Sequence, residues 1–193
     1  MEEKQINNRE SILWTISIPQ VILIIISMIW IYFDTGINIA SKFNFNYKIL
    51  ILGIIIGGGL SASGYGFYRL MKHYKNISSF SSIVNFFEQY LSPAFQNLKS
   101  IDFIVLSIIS GFTEEIFFRG LLLQRTGIII SSLAFGALHL PGFKVWIYAI
   151  WAFLSGVFFC YLYIFSGSLW LPIIAHTVNN IIGMFMLKRM GDK

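Results

Sequence analysis

The chain has 193 residues, 56% of them hydrophobic and 12% charged, with a formal net charge of +5 and a mean hydropathy of +0.71. Soluble domains carry about 25% charged residues, so an ordinary soluble domain is excluded and a single all-α domain in a bilayer is the simplest reading. The lone cysteine, Cys160, rules out an intramolecular disulfide and a Cys-based zinc site. The basic residues are spread over loops and ends, which argues for topology signals and anionic lipid and against a nucleic-acid partner.

In chain order, residues 1–10 read as a short polar cytoplasmic tail, and 11–33 as a first spanning helix with Pro19 near its start. That helix is too long for a signal-peptide core and lacks a basic flank and a cleavage site, so it is expected to remain. A polar loop, 34–46, leads to a second span over 47–71, interrupted by Gly57-Gly58-Gly59 and further small residues that permit a neighbouring helix to approach closely. Residues 76–100 alternate polar and apolar and predict an amphipathic helix in the interface, ended or kinked by Pro93. A third span covers 101–124. Residues 127–140 are short for a crossing, because about 20 residues are needed; they either borrow from 121–125 or cross only partly. Spans over 145–165 and 168–187 follow.

This layout is a polytopic bundle of about six transmembrane segments plus the interfacial helix. Both termini are expected in the cytoplasm of a multi-pass cell-membrane protein. Lys4, Arg9, Arg69, Lys72, Lys75, Lys99, Lys144, Lys188, Arg189 and Lys193 then lie inside, and only Lys42, Lys48 and Arg125 outside, as the positive-inside rule requires. By organisation, 1–100 is an N-terminal two-span region with the interfacial helix, 101–187 a core, and 188–193 a cytoplasmic tail.

The chemistry concentrates in the core. Glu114, Glu115 and Arg119 sit within an apolar run, where each charge costs roughly 2.5 to 3.5 kcal/mol on insertion scales. Glu115 and Arg119 are four apart, the spacing of an ion pair. Adjacent helical residues point about 100° apart, so Glu114 faces elsewhere and suits a general base. His139 follows Phe135 by four residues, and His176 precedes Asn180 by four, so each pair shares a helical face. No His-Glu-x-x-His motif, Gly-x-Ser-x-Gly elbow or phosphate-binding glycine loop occurs. What remains is water activated by a carboxylate or histidine, with polar groups to stabilise an oxyanion. A metal held by Glu114, His139 and His176 suits the same residues, and the residues alone leave the two versions open.

Three stretches resemble the CAAX-protease and bacteriocin-processing (Abi) family of membrane proteins: Glu114-Glu115-Ile116-Phe117-Phe118-Arg119, Phe135-Gly136-Ala137-Leu138-His139, and His176-Thr177-Val178-Asn179-Asn180. They match that family's Glu-Glu-x-x-x-Arg, Phe-x-x-x-His and His-x-x-x-Asn/Asp motifs, in order, across 101–187. The resemblance implies an intramembrane glutamate-dependent endopeptidase in which Glu114 and His139 activate water, His176 and Asn180 stabilise the oxyanion, and Glu115 and Arg119 support the site. It favours the version without metal or other cofactor. It also implies a peptide or membrane-protein substrate, with bacterial roles in peptide maturation, bacteriocin immunity or signalling, where a membrane signalling partner is a further option. The rival readings are a non-enzymatic immunity or sensor-kinase regulatory protein that keeps the motif as a packing network, and a metal-dependent membrane protease.

Overall fold

The computed structural model describes residues 9–191, and among them there are helices and no strands. Helix α1 spans Arg9–Phe33. A short 3-10 turn, Ala40–Lys42, precedes α2, Tyr47–His73. Asn46 starts α2 by accepting the Ile49 N–H on its side chain at 3.0 Å, which satisfies one of the otherwise unpaired first-turn donors. The tail residues 1–8, with Lys4, and the last two residues, with Lys193, lie outside the described part. The basic pair Lys188 and Arg189 lies in the last turn of the final helix.

The expected interfacial helix is present in three pieces: α3 over Ser78–Asn85, a π-helical turn over Phe86–Leu91, and α4 over Ser92–Gln96. Pro93 falls at the start of α4. It has no N–H to donate and its ring crowds the carbonyl four residues back, so the helix widens ahead of it instead of stopping. Ser92 Oγ donates to the Leu187 carbonyl at 2.8 Å and Gln96 to the Lys188 carbonyl, which ties the segment to the end of the last helix.

Helix α5, Ser100–Glu115, continues through a second π-helical stretch, Ile116–Leu122, into α6, Leu123–Leu138. Helix α6 is broken at Gly127, whose φ of 79° and ψ of 177° suit a residue without Cβ. The chain folds back there, and Ser131 Oγ donates to the Phe118 carbonyl at 2.9 Å across the hairpin. The short helix therefore does not borrow from 121–125. At 1.5 Å per residue, 128–138 covers only about half of a hydrocarbon core. Helices α7, Trp146–Ser166, and α8, Trp170–Gly191, complete the bundle.

Four helical stretches are long and apolar enough to cross a membrane, Arg9–Phe33, Tyr47–His73, Phe143–Ser166 and Trp170–Met190. The expected six crossings are thus met by length and composition for four. The other two segments are those that carry the buried charges and the Gly127 break. Together with the exposed Ile18, Val21, Ile22, Ile25 and Ile29 along α1, the helices make this a multi-pass membrane protein, because such an apolar belt is tolerated against lipid and not against water.

Polar contacts order the two ends of the bundle. Arg9 clasps Asp102 at 2.6 and 2.8 Å where α1 and α5 begin, and Arg125, in the first turn of α6, reaches Asp34 just past the end of α1, so α1 runs parallel to the helix that continues from α5 into α6. The Leu169 N–H donates to the Lys42 carbonyl, and Ser168 Oγ to the Asn44 carbonyl, at that second end. One end therefore gathers Arg9, Lys99 and Lys188, and the other gathers Lys42 and Arg125. Helix α2 packs along α8 through its small residues. A Cβ at Gly57 would come within 2.6 Å of the Ala175 carbonyl and 2.7 Å of Val178. Gly58 and Gly59 face open space, so the close-packing expectation applies to one side of that triplet.

The Asp34–Arg125 contact makes a pH prediction. Arg125 holds the Asp34 carboxyl below the usual carboxylate range, helped by the Trp30 indole at 3.2 Å. A carboxyl whose folded-state pKa is lowered contributes stability above its unfolded value of about 3.9 and loses it as pH falls through the folded value. Acidification below about pH 4 is expected to change Trp30 emission, isolated by difference from Trp30→Phe, and Asp34→Asn to abolish that step. A step of equal size in Asp34→Asn would refute the assignment.

Candidate active site

The acidic pair sits where α5 meets α8. Gly111 lies one turn before Glu115, and a Cβ there would fall 2.3 Å from Thr177 Oγ1. The absent side chain lets the two helices approach closely enough for His176 to reach Glu115. His176 Nδ1 donates to Glu115 Oε1 at 2.8 Å, and Arg119 Nη1 donates to the same oxygen at 2.8 Å. The second guanidinium nitrogen, Nη2, donates to the Gly156 carbonyl on α7 at 3.1 Å. Glu115 and Arg119 are fully buried.

Aromatic faces enclose this pair. The Arg119 guanidinium carbon lies 4.6 Å from the Phe135 ring centre, 5.2 Å from that of Phe159 and 5.7 Å from that of Phe118. A cation on aromatic faces gains about 2 kcal/mol or more when desolvated, which offsets part of its transfer cost. The His176 ring stacks on Phe159 at 5.1 Å and 17°. Two orienting contacts, the Glu115 carboxylate and the Phe159 face, thus hold the imidazole in one plane.

Glu114 turns to a different side of α5, as the 100° step requires. Its Oε1 accepts from Gln20 Nε2 on α1 at 2.8 Å. Its Oε2 is buried without a hydrogen-bond partner in the protein. It faces His139 Nε2 at 3.8 Å and His176 Nε2 at 3.9 Å. The His139 tautomer follows from its other nitrogen. Nδ1 lies 2.8 Å from the Phe135 carbonyl, and a carbonyl only accepts, so Nδ1 carries a proton and the neutral ring presents a lone pair on Nε2. The His139 ring also lies against Phe135, with centres 4.4 Å apart, as their four-residue spacing suggests. At 28% side-chain exposure it is the most open of these groups, against 8% for Glu114 and 5% for His176.

Asn180 donates its amide to Ser110 Oγ at 2.9 Å, one turn before Glu114. It shares with His176 the face of α8 that meets α5. Asn179 points to α2, where Ser61 Oγ donates to its side-chain oxygen at 3.2 Å, a packing contact. The structure therefore brings Glu114, Glu115, Arg119, His139 and His176 into one cluster, buried except for the half-buried His139, with Asn180 on its margin through Ser110.

Sequence reasoning passed over Gln20, Thr113, Ser110, Phe159 and Tyr148, whose ring centre lies 6.5 Å from that of His139. Gln20 had a signal, being the only amide side chain in the first span. The others are ordinary residues for a membrane helix and become site neighbours only through packing. Among the described residues no group of three or more His, Cys, Asp or Glu side chains is disposed as a metal-ligand set. The carboxylate–imidazole separations at Glu114 are wider than the ~3.3 Å between ligands in a tetrahedral site with bonds near 2.0 Å.

Residues 96–182 match the family model described as Type II CAAX prenyl endopeptidase Rce1-like. This part of the chain is similar to the Rce1-like domains of the CAAX-protease and bacteriocin-processing family, a family of membrane proteases. "Uncharacterized protein YpbD" of Bacillus subtilis (strain 168) is 32% identical over 85 residues, which are 44% of this chain and 45% of that protein. The chain thus spans less than half the length of that curated relative. No solved structure matches.

Proposed function

We propose that this protein is an intramembrane endopeptidase that hydrolyses a peptide or membrane-protein substrate with water activated by Glu114 and His139. One observation carries the reading. A buried carboxylate oxygen, Glu114 Oε2, has no partner in the protein and faces two imidazole Nε2 atoms at 3.8 and 3.9 Å. A water between Oε2 and the lone pair of His139 Nε2 donates one O–H to each, which leaves its own lone pair for the substrate carbonyl.

Attack forms a C–O bond and moves the carbonyl π electrons onto oxygen, while Glu114 takes the proton that water releases. Collapse breaks the C–N bond, and the same proton passes to the departing amine. His176 serves the oxyanion from Nε2 when it carries the second proton, with Glu115 accepting from Nδ1 to balance that charge. The Asn180 amide, which has a second N–H besides the one given to Ser110, is the other donor. Arg119 holds Glu115 in place through its Nη1 bond. No step needs a metal, and the chain's metal-dependent rival is separated by assay: full activity without stoichiometric metal is the expected result.

The end that gathers Arg9, Lys99 and Lys188 is the cytoplasmic one in this reading, which puts residues 9 and 191 on that side. The test uses purified protein in liposomes with host membrane proteins, comparing new peptide termini by mass spectrometry between wild type and Glu114→Gln. Termini made by wild type alone support proteolysis. Equal products from both would move the reading to a non-enzymatic membrane partner.

A further inference from the structure

Glu114 is held by a side chain from outside the matched domain. Gln20, on α1 and 8% exposed, donates Nε2 to Glu114 Oε1 at 2.8 Å. Thr113 Oγ1 meets the Gln20 side-chain oxygen from the other side. We infer that Gln20 is a positioning residue, through which the first helix completes the site by fixing the plane of the Glu114 carboxylate, so that its free oxygen faces the two imidazoles. The inference rests on the reading of Glu114 as the base.

The two oxygens of a carboxylate are equivalent until a neighbour distinguishes them. The Gln20 N–H engages Oε1, so Oε2 is left toward His139 and His176. An amide can itself sit in two orientations, and the Glu114 carboxylate, which only accepts, selects the one with the NH2 toward it, with Thr113 supporting it. The Thr113 hydroxyl donates to the amide oxygen, which satisfies the other end of the side chain in that orientation. The flipped amide would oppose its oxygen to the Glu114 oxygen and lose that bond, keeping only a reversed one to the Thr113 hydroxyl. Thr113 is adjacent to Glu114 in sequence, so α5 carries the base, the group that supports the clamp, and, through Gln20, its grip on α1.

Packing alone does not account for Gln20. The buried face of α1 otherwise presents Ile12, Leu23 and Ser27, and an apolar residue at position 20 would fill the same volume without burying an amide. An interhelical hydrogen bond in a membrane protein contributes on average only about 0.6 kcal/mol. A buried amide in a span is tolerated here because both its ends are satisfied, and both partners belong to the candidate site. Residues 96–182 hold every other group of that site, so the matched domain without α1 lacks the contact that sets its base.

The test compares wild type with Gln20→Met, which keeps the length and flexibility of the side chain, and with Thr113→Val, which leaves α1 untouched. The first readout needs no substrate. In protein labelled with nitrogen-15 at glutamine side chains, the Gln20 NH2 signal, assigned by its absence in Gln20→Met, is expected to move on Glu114→Ala. An unmoved signal would overturn the contact. The second uses a peptide that wild type cleaves and Glu114→Gln does not. Gln20→Met is expected to lower kcat per folded molecule about 10- to 100-fold with KM within about twofold, Thr113→Val to do so less, and Gln20→Asn to fall between Met and wild type. If Gln20 only glued α1 to α5, melting temperature and yield would fall while kcat per folded molecule stayed at the wild-type value, and the inference would be wrong. Should Glu114→Gln instead prove active, the reading beneath it fails, and the labelled-amide result still reports separately on the clamp.

Discussion

Glu114→Gln is expected to lower kcat/KM by about a thousandfold or more while leaving the melting temperature in detergent within a few degrees of wild type. The activity loss follows from chemistry. A general base contributes typically ~10²–10⁴, and groups that act as a unit lose most of their joint effect when one is removed. An amide at position 114 is neutral and has no useful basicity toward water. The small stability effect follows from geometry. Glutamine has the shape of glutamate, its oxygen can still accept from Gln20, and its NH2 can donate to the lone pair of His139 Nε2 or His176 Nε2. His139→Ala is expected to lose a comparable factor, since the same water is held by both groups. The double variant should fall little below either single one. Additive losses, multiplying the two factors, would show that the two side chains act in different steps.

Arg119→Met is expected to destabilise the fold by about 3–5 kcal/mol, the cost of leaving one member of a buried pair uncompensated. The neighbourhood explains why this site sits at the severe end. Glu115 Oε1 accepts from both Arg119 and His176, its Oε2 has no partner, and rings close the remaining space. With the guanidinium gone, water cannot reach the carboxylate from that side. Glu115→Gln combined with Arg119→Met removes both charges and should recover much of the loss, because a buried pair replaced by uncharged groups of similar volume is often close to neutral. Arg119→Lys is expected to remain destabilised, since an ammonium cannot at once bond Glu115, reach the Gly156 carbonyl and lie flat against three rings. Unfolding in mixed detergent measures all four proteins. A double variant no better than Arg119→Met would mean that the loss comes from the aromatic cage and not from the unpaired Glu115.

Both results depend on contacts that differ in how visible they were beforehand. The Glu115–Arg119 bond was legible because it is local: four residues along a helix bring two side chains together whatever the rest of the chain does. The His139–Phe135 contact is of the same kind. His176 on Glu115 joins residues 61 apart, and no periodicity expresses it. Its local precondition, Gly111, reads as any small residue in a membrane helix until α8 is seen against it. Gln20 lies 94 residues from Glu114 in a span that hydropathy describes as a plain anchor.

By itself the sequence determined the membrane class, the helical content, the order of the elements and the set of six polar residues worth attention. These follow from composition and short-range spacing, which act without knowledge of tertiary neighbours. Only the tertiary structure decided how those residues meet. It resolved the short fourth segment as a fold-back at Gly127, because a positive φ in that position is a backbone fact that spacing does not carry. It showed that at Pro93, expected to end or kink its helix, the helix instead widens into a π-helical turn. It left Glu114 Oε2 facing two imidazoles while a glutamine from the first helix held the other oxygen. That division has a physical cause. In a bilayer the apolar positions are satisfied by lipid or by protein alike, so hydropathy tells which residues are inside the membrane but not which helix lies beside which. Buried polar groups must find partners, and their bonds, long in sequence and short in space, select the packing.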